Sequence, residues 1–385
     1  MKKVLATILA LVMALGVTTA AWADDAGVTC NGENCTHAAE FNGKHYNHLV
    51  DAYAALTRGT TKPAAAEVIT LLRDSSGGGI GSDADTNMNY VIDFGGHTYT
   101  VGAPAVGSTG TVSQGLRVLK TSTAKFTNGT LKAADYNGLV QVVHTYGDVT
   151  FENFNVDARE NSYAQIAVEP DCGTLNITGN SSILAREGMT GLYVAFWHTA
   201  TYDGTTVNVN TTGKITGKLV YEFDEDMTGD AAATENRAVL NIANGNFEIT
   251  GIQTLFSGVA NEALKEAKIE VSGGTFSTDV KEYLAEGKIL QKNGDTYTAV
   301  TNSAITSGTY TSEPTVPSGY KATKNDDGTW TVSKVSYYYY QPTTDTKTTD
   351  TKGSPKTFDA GIALYVGMAL TSAAGVAFVG KKRED

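Results

Sequence analysis

The chain has 385 residues, including 41 Gly, 7 Pro and 3 Cys, and a formal net charge of -12. Because 41% of the residues are hydrophobic, the chain can bury a substantial core, and disorder throughout is excluded. The acidic balance, without a patch of Lys and Arg residues, argues against a nucleic-acid partner, since phosphate binding requires clustered positive charge.

The N-terminal segment has the pattern of a secretory signal peptide. Lys2 and Lys3 precede an uncharged run, and Ala21-Trp22-Ala23 ends the segment. Signal peptides share this order of charged, apolar and small residues. The pattern therefore predicts a signal peptide over residues 1–23 and an exported chain that begins after Ala23.

Residues 24–89 are predicted to form an N-terminal region that caps the fold. Apolar side chains recur there at helical spacing and predict a short amphipathic helix over residues 46–57. A buried strand is expected over residues 68–72, where β-branched and aliphatic residues form a short run. The residues that carry the helical spacing are Tyr46, Leu49, Val50, Tyr53 and Leu56.

Two cysteines lie close together near the start of the exported chain. Cys30 and Cys35 are candidates for a small disulfide, because exported proteins meet oxidising conditions. The alternative is a metal site with His37, His45 or His48, since thiolates and imidazoles suit zinc. The spacing matches no established zinc-finger pattern, so no metal site is predicted.

Residues 90–277 repeat a loose unit of an alternating strand, a turn rich in Asn, Gly or Thr, and a second short strand. A repeat period in the twenties to thirties indicates a solenoid. The expected fold is all-β, a right-handed parallel β-helix in which strands of successive coils stack on one another. An antiparallel sandwich is the alternative. The apolar anchors of the repeat are Phe94, Phe126, Phe151, Ile177, Val209, Ile242 and Val271.

The predicted coils resemble the pectate-lyase-type parallel β-helix, a fold that includes polysaccharide lyases and hydrolases. That resemblance implies a search for clustered carboxylates and basic groups, which supply acid–base chemistry. The candidate catalytic residues are Asp157, Arg159 and Glu160, followed about one coil apart by Glu169 and Asp171 and by Arg186 and Glu187. No segment repeats a lyase or hydrolase signature, so the sequence favours a protein that is not an enzyme.

Aromatic side chains provide the candidate contacts for a carbohydrate. Tyr193, Phe196, Trp197 and Tyr202 form the richest aromatic stretch in the coils, and aromatic faces stack on sugar rings. Core packing is the competing fate for about half of them. The acidic run at residues 222–226 is a candidate for calcium binding but lacks the loop of a dedicated site, so no cofactor is predicted.

Residues 278–335 contain two stretches in which turn residues separate alternating strands, and each predicts a β-hairpin. Together with the preceding segment they resemble parts of large surface proteins of gut Firmicutes. Residues 336–353 are rich in Tyr, Thr and Asp and are predicted to form an extended tether.

The last segment, residues 354–385, combines a polar motif, an uncharged span at 360–380 and a basic tail. Such a span is long enough to cross a bilayer, and basic residues favour the cytoplasmic side. This order resembles the cell-wall sorting signal of Gram-positive bacteria. The motif is Ser354, Pro355, Lys356, Thr357 and Phe358, with Ser and Phe where the usual pattern has Leu and Gly.

The resemblance implies that a sortase cleaves after Thr357 and joins this residue to peptidoglycan. The alternative is a protein that stays in the membrane through residues 360–380. In either case the sequence predicts an extracellular surface protein with a structural or adhesive role, which binds a glycan or a host protein. A carbohydrate-active enzyme, either a polysaccharide lyase or a glycoside hydrolase, is the alternative function.

Overall fold

The structure is a computed structural model that describes residues 27, 35–81, 87–108, 110–196, 204–224, 237–259, 262 and 265–336. The predicted signal peptide, most of the tether and the sorting motif with its apolar span lie outside these residues. Within the described part of the chain, no helix has the length and apolar character to cross a membrane. The fold is all-β, with 4% helix.

The described residues form 23 strands and one short α-helix, α1, at Leu49–Ala54. The first strands are β1 Ala39–Phe41, β2 Lys44–Tyr46, β3 Glu67–Leu71, β4 Ser75–Gly77, β5 Asn89–Asp93, β6 Thr98–Val101, β7 Gln114–Val118, β8 Thr123–Ala133, β9 Gln141–Thr145, β10 Asp148–Asp157, β11 Ile166–Pro170 and β12 Gly173–Gly179. The others are β13 Ser182–Leu184, β14 Thr190–Val194, β15 Thr205–Asp224, β16 Ala238–Ser257, β17 Ile269–Val271, β18 Thr275–Phe276, β19 Lys288–Asn293, β20 Thr296–Thr301, β21 Gly308–Tyr310, β22 Tyr320–Lys324 and β23 Trp330–Lys334.

Parallel pairing between successive turns builds a β-solenoid of about 5 turns, as the repeat predicts, and the antiparallel sandwich does not form. The first ladder runs through β3, β5, β8, β10, β12, β15, β16 and β17. The second runs through β4, β6, β8, β10, β13, β15, β16 and β18. The third runs through β7, β9, β11, β14, β15 and β16. The long strands bend and therefore contribute to more than one ladder.

The predicted anchors stack in register inside the first ladder. Phe126, Phe151, Ile177, Val209, Ile242 and Val271 pair in sequence from one turn to the next. In the preceding turn the partner of Phe126 is Ile92 rather than the predicted Phe94. Both residues point inward because side chains two apart share a face of a strand, and Phe94 packs on Phe154 with ring centroids 4.8 Å apart.

The corner between the first and second ladders needs a left-handed backbone, which Asn and Gly adopt most easily. Asn128 and Asn153 have φ values of 56° and 53°, and Gly179 has 65°. These residues follow aligned positions of β8, β10 and β12. Asn and Gly, which the turns of the repeat contain, therefore occupy this corner at three successive turns.

At the N-terminal end, β1 pairs antiparallel with β2 and with β3, so it covers the free edge of the first parallel strand. Helix α1 buries Leu49, Ala52 and Tyr53. It is shorter than the predicted segment, because Tyr46 belongs to β2 and the chain turns after Ala54. The parallel ladders also begin earlier than residue 90, since β3 and β4 already pair with β5 and β6.

At the C-terminal end, antiparallel strands continue the sheet. β18 pairs with β20, β20 with β19, and β19 with β21, while β21 and β22 both pair with β23. A small core separate from that of the coils lies between these strands and contains Ile289, Ile305, Tyr310 and Val332.

We expect the Phe151→Ala variant to lose about 3–5 kcal/mol of unfolding free energy. The Phe151 ring is fully buried between Phe126 and Phe154, with ring centroids 6.1 and 5.3 Å away, so its removal leaves a cavity in the middle of the stack. Urea denaturation measures the change. Thr150→Ala, on the outward face of the same strand, should cost about 0.5 kcal/mol or less. Equal losses in both variants would contradict the register of β10.

Candidate functional site

The outward face of the third ladder carries a row of ionisable and polar side chains. Arg117 on β7 aligns with His144 on β9, and His144 aligns with Glu169 on β11. On the next turn, Leu192 pairs with Val168. Tyr193, the residue after Leu192, therefore continues the row beside Glu169. The row arises because strand residues alternate between faces, so the neighbouring aliphatic residues fill the core while these residues point away from it.

His144 lies at the centre of a buried hydrogen-bond network. Its Nε2 is 2.6 Å from Asp171 Oδ2, and its Nδ1 is 3.0 Å from Gln114 Nε2. A carboxylate accepts and an amide nitrogen donates, so in this arrangement Nε2 of His144 donates to Asp171 and Nδ1 accepts from Gln114. Gln114, His144 and Asp171 are each less than 8% exposed. The network therefore fixes the orientation of all three side chains.

Glu169 lies beside this network in an environment that favours its protonated form. Burial, followed by the charge of Asp171, raises the pKa of Glu169 to about 7, although His144 and a hydrogen bond from Gln141 oppose the shift. Its Oε2 atom is buried and has no hydrogen-bond partner within the described chain. Glu169 and Asp171 thus form an acid pair in which the charge of Asp171 helps to keep the proton on Glu169.

A third carboxylate continues the row toward the C-terminal turns. The Tyr193 hydroxyl donates a hydrogen bond to Glu222 Oε2, and Ser257 Oγ donates to Glu222 Oε1 at 2.6 Å. Burial and the charge of Glu222 raise the pKa of the Tyr193 phenol, so this group remains a donor. The charge of Glu222 also raises the pKa of Glu169.

A cavity of about 590 Å³ lies next to the network, at the β7 and β9 end of the third ladder. The Tyr146 ring forms part of its wall and lies 4.4 Å from the His144 ring, centroid to centroid. Gln114 also lines it, and Gln114 Oε1 is buried without a hydrogen-bond partner in the part of the chain that the structure describes. The full lining is Gly110, Thr111, Val112, Ser113, Gln114, Val140, Gln141, His144 and Tyr146. Amide, hydroxyl and aromatic groups thus meet around one concave space.

The same residues include a potential set of metal ligands. One donor atom from each of His144, Glu169 and Asp171 lies within 4.8 Å of the others. Both nitrogens of His144 already take part in hydrogen bonds, to Asp171 and Gln114. A cation would have to replace at least one of these bonds, so the observed arrangement suits a hydrogen-bond network better than a metal site.

The predicted catalytic group lies on a different ladder. Asp157 ends β10 and accepts two hydrogen bonds from Arg159, at 2.9 and 2.7 Å. These bonds hold the pKa of Asp157 below its usual value. Glu160 forms an ion pair with Lys132 at 2.7 Å. Asp157, Arg159 and Glu160 therefore each have a charged partner close by. Glu169 and Asp171, predicted about one coil away, lie on and just after β11, in the third ladder.

The predicted aromatic contacts divide between the site and the core. Tyr193 belongs to the row of polar residues, and Phe196 is buried. Trp197 and Tyr202 lie outside the described residues, as do Cys30 and the sorting motif. The sequence did not single out Gln114, His144 or Tyr146. Knowledge of the coil register would have identified them, because His144 aligns with Glu169 one turn away.

The chain matches no protein-family model, no curated protein and no solved structure. The candidate site is therefore interpreted from its own geometry.

We expect the stability of the protein to fall as the pH rises from about 4.5 to about 7. Over this range the folded state retains a proton on Glu169 that the unfolded chain has released, so the folded state binds more protons and loses stability as they are removed. The rise in the pKa of Glu169 from 4.5 to about 7 corresponds to a change in unfolding free energy on the order of 3 kcal/mol. Urea denaturation at several pH values measures it.

Glu169→Gln should remove this pH dependence, because the amide does not ionise. Glu160→Gln changes an exposed carboxylate that pairs with Lys132 and serves as the matched control. The control should retain the slope of the unaltered protein. The same slope in the Glu169→Gln variant would show that Glu169 is not the group responsible.

Proposed function

We propose that the protein is an exported surface protein whose third ladder binds carbohydrate. The observation that carries this proposal is the cavity lined by Gln114, Gln141 and Tyr146, with a buried, unpartnered oxygen on Gln114. Its volume of about 590 Å³ falls within the usual range of small-molecule sites. A sugar offers hydroxyl donors for the amide oxygen and a C–H face for the tyrosine ring.

Neutral groups form most of the cavity wall, and this favours binding over catalysis. Among the ionisable side chains of the network, His144 reaches the cavity, whereas Glu169 and Asp171 are not part of its lining. The carboxylates support the cavity wall without lining it, because Asp171 holds His144 in place and His144 holds Gln114. A rigid, preorganised wall reduces the conformational entropy that the protein loses when a ligand binds.

The proposed setting is the cell wall of a Gram-positive bacterium. The sorting motif, the apolar span and the basic tail support this location, and sortase would join Thr357 to peptidoglycan. In this proposal the coils form a right-handed parallel β-helix. Helix α1 with the β1–β2 hairpin closes one end of it, and the C-terminal hairpins lead to the tether.

A second candidate is a carbohydrate-active enzyme, favoured by the acid pair Glu169 and Asp171. Glycosidases use one protonated and one ionised carboxyl group, and a pKa of about 7 suits Glu169 to the role of proton donor. Asp171, held by His144, would then act as nucleophile or base. One oxygen of each carboxyl group lies within 4.8 Å of the other, nearer the spacing of retaining than of inverting enzymes. Glu169 and Asp171 do not line the cavity whereas Gln114 does, and this places binding first.

The Gln114→Ala variant should lose about tenfold in affinity for a glycan that the intact protein retains on a glycan array. The expected loss reflects one or two hydrogen bonds to ligand hydroxyls. Calorimetry with the retained glycan measures the affinity. Gln165→Ala removes an exposed amide just before β11 and should bind like the unaltered protein.

The same experiment distinguishes the two functions. Intact glycans at the end of the incubation support binding, whereas shortened or unsaturated products that disappear with Glu169→Gln support the enzyme. No retained glycan, or equal affinity in the Gln114→Ala and Gln165→Ala variants, would contradict the proposed site. Circular dichroism confirms that each variant is folded.

In its own host the protein should appear in the cell-wall fraction that muramidase releases. Replacement of the proposed linkage residue, Thr357→Ala, should move it to the membrane fraction, because the apolar span would no longer be removed. Thr351→Ala, in the tether, is the matched control and should leave the protein in the wall. Recovery of the unaltered protein only from membranes would contradict sortase anchoring.

A further inference from the structure

A second cluster of side chains of the kinds that bind metal ions lies at the β1–β2 hairpin, far along the chain from the proposed carbohydrate-binding cavity. Cys35 Sγ is 2.8 Å from His45 Nδ1 and 3.2 Å from His37 Nδ1. The three donor atoms all lie within 4.8 Å of one another. Cys35 and His37 precede β1, and His45 lies in β2, so the hairpin brings together residues from two segments.

The chemistry and spacing of this cluster suit a zinc-class ion. A thiolate and two imidazoles are the ligands that Zn²⁺ prefers. In a tetrahedral site with Zn–S of about 2.3 Å and Zn–N of about 2.05 Å, sulfur and nitrogen lie about 3.5 Å apart. The observed separations of 2.8 and 3.2 Å are shorter by less than 1 Å. Small side-chain rotations therefore suffice to seat an ion between the three groups.

We propose that Cys35, His37 and His45 bind a divalent zinc-class ion with a structural role. All three side chains are half-buried, and this limits access of water to the ligands while leaving a path for the ion. Three ligands leave a fourth coordination position for water or another donor. Ion binding requires the Cys35 thiol to lose its proton, so a proton is released as the ion enters.

The position of the cluster explains what the ion would stabilise. β1 covers the free edge of β3, through the pairs Ala39–Leu71 and Phe41–Ile69. Arg73, just after β3, donates a hydrogen bond to the Cys35 carbonyl at 3.1 Å. An ion at the cluster would fasten the segment before β1 to β2 and so hold the covering hairpin closed. Solenoids need such closure, because an open edge strand pairs with other chains.

The test is a titration of the full chain with Zn²⁺ and Co²⁺ after treatment with a chelator and a reductant. We expect one ion per chain, a sulfur-to-cobalt charge-transfer band with Co²⁺, and a rise of several degrees in Tm with excess Zn²⁺. Cys35→Ser should abolish the charge-transfer band. His45→Ala should weaken Zn²⁺ binding by about 100-fold and abolish the rise in Tm.

Matched controls separate the site from other thiols and histidines. Cys172→Ser changes a buried cysteine of the coils, and His97→Ala changes a histidine that pairs with Asp74 at 3.4 Å. Both should retain binding, the band and the rise in Tm. If His45→Ala fails to fold, His37→Gln replaces it as a milder change and should show the same weakening.

Two results would overturn the proposal. One is equal Zn²⁺ affinity in the Cys35→Ser, His37→Gln and unaltered proteins. The other is a Cys30–Cys35 disulfide, found by mass spectrometry in protein exported by its own host, because a disulfide removes the thiolate ligand.

Discussion

The in-register stacking of one turn on the next is the constraint on which this structure depends. Each strand must place its side chains directly over those of the previous turn, at the spacing of neighbouring strands in a sheet. Inside the first ladder this produces a continuous column of Phe, Ile and Val residues from Ile92 to Val271. Outside, it produces equally continuous columns of polar residues. Asn176, Asn208 and Asn241 show this most clearly, because Asn208 donates to the amide oxygen of Asn176 and Asn241 donates to that of Asn208, both at 2.9 Å.

Stacking also explains how much of the fold was predictable from the sequence. Inward positions must be apolar on every turn, so they leave a repeated signal, and six of the seven predicted anchors align in the first ladder. Outward positions carry no such requirement. Arg117, His144 and Glu169 occupy one row, yet they share no residue type and are separated by 27 and 25 residues. The row therefore becomes visible only when the register is known, and the sequence favoured Asp157 and Arg159 instead.

At both ends of the ladders, antiparallel strands end the parallel pairing. A parallel strand leaves backbone donors and acceptors free along its outer edge, and another chain can pair with them. Here the edge of β3 meets antiparallel β1, and β18 meets antiparallel β20. The sequence indicated helical and hairpin segments beside the coils, but the pairing of β1 with β3 depends on contacts between residues 30 apart in the chain.

The polar row costs stability, and this cost is an argument for function. Stacking brings Glu169, Asp171 and Glu222 close enough for their charges to raise the pKa of Glu169, and burial raises it further. A protein selected only for stability would place apolar residues or pairs of opposite charge in this row. Lys125 and Glu152 form such a pair on the first ladder of this protein. Instead, His144 contacts one oxygen of Asp171, Tyr193 and Ser257 each donate to one oxygen of Glu222, and Glu169 Oε2 is left without a partner in the described chain. Buried polar groups arranged at such a cost commonly mark sites that bind or react. The adjoining cavity, with a second unpartnered oxygen on Gln114, is where the third ladder would meet its ligand.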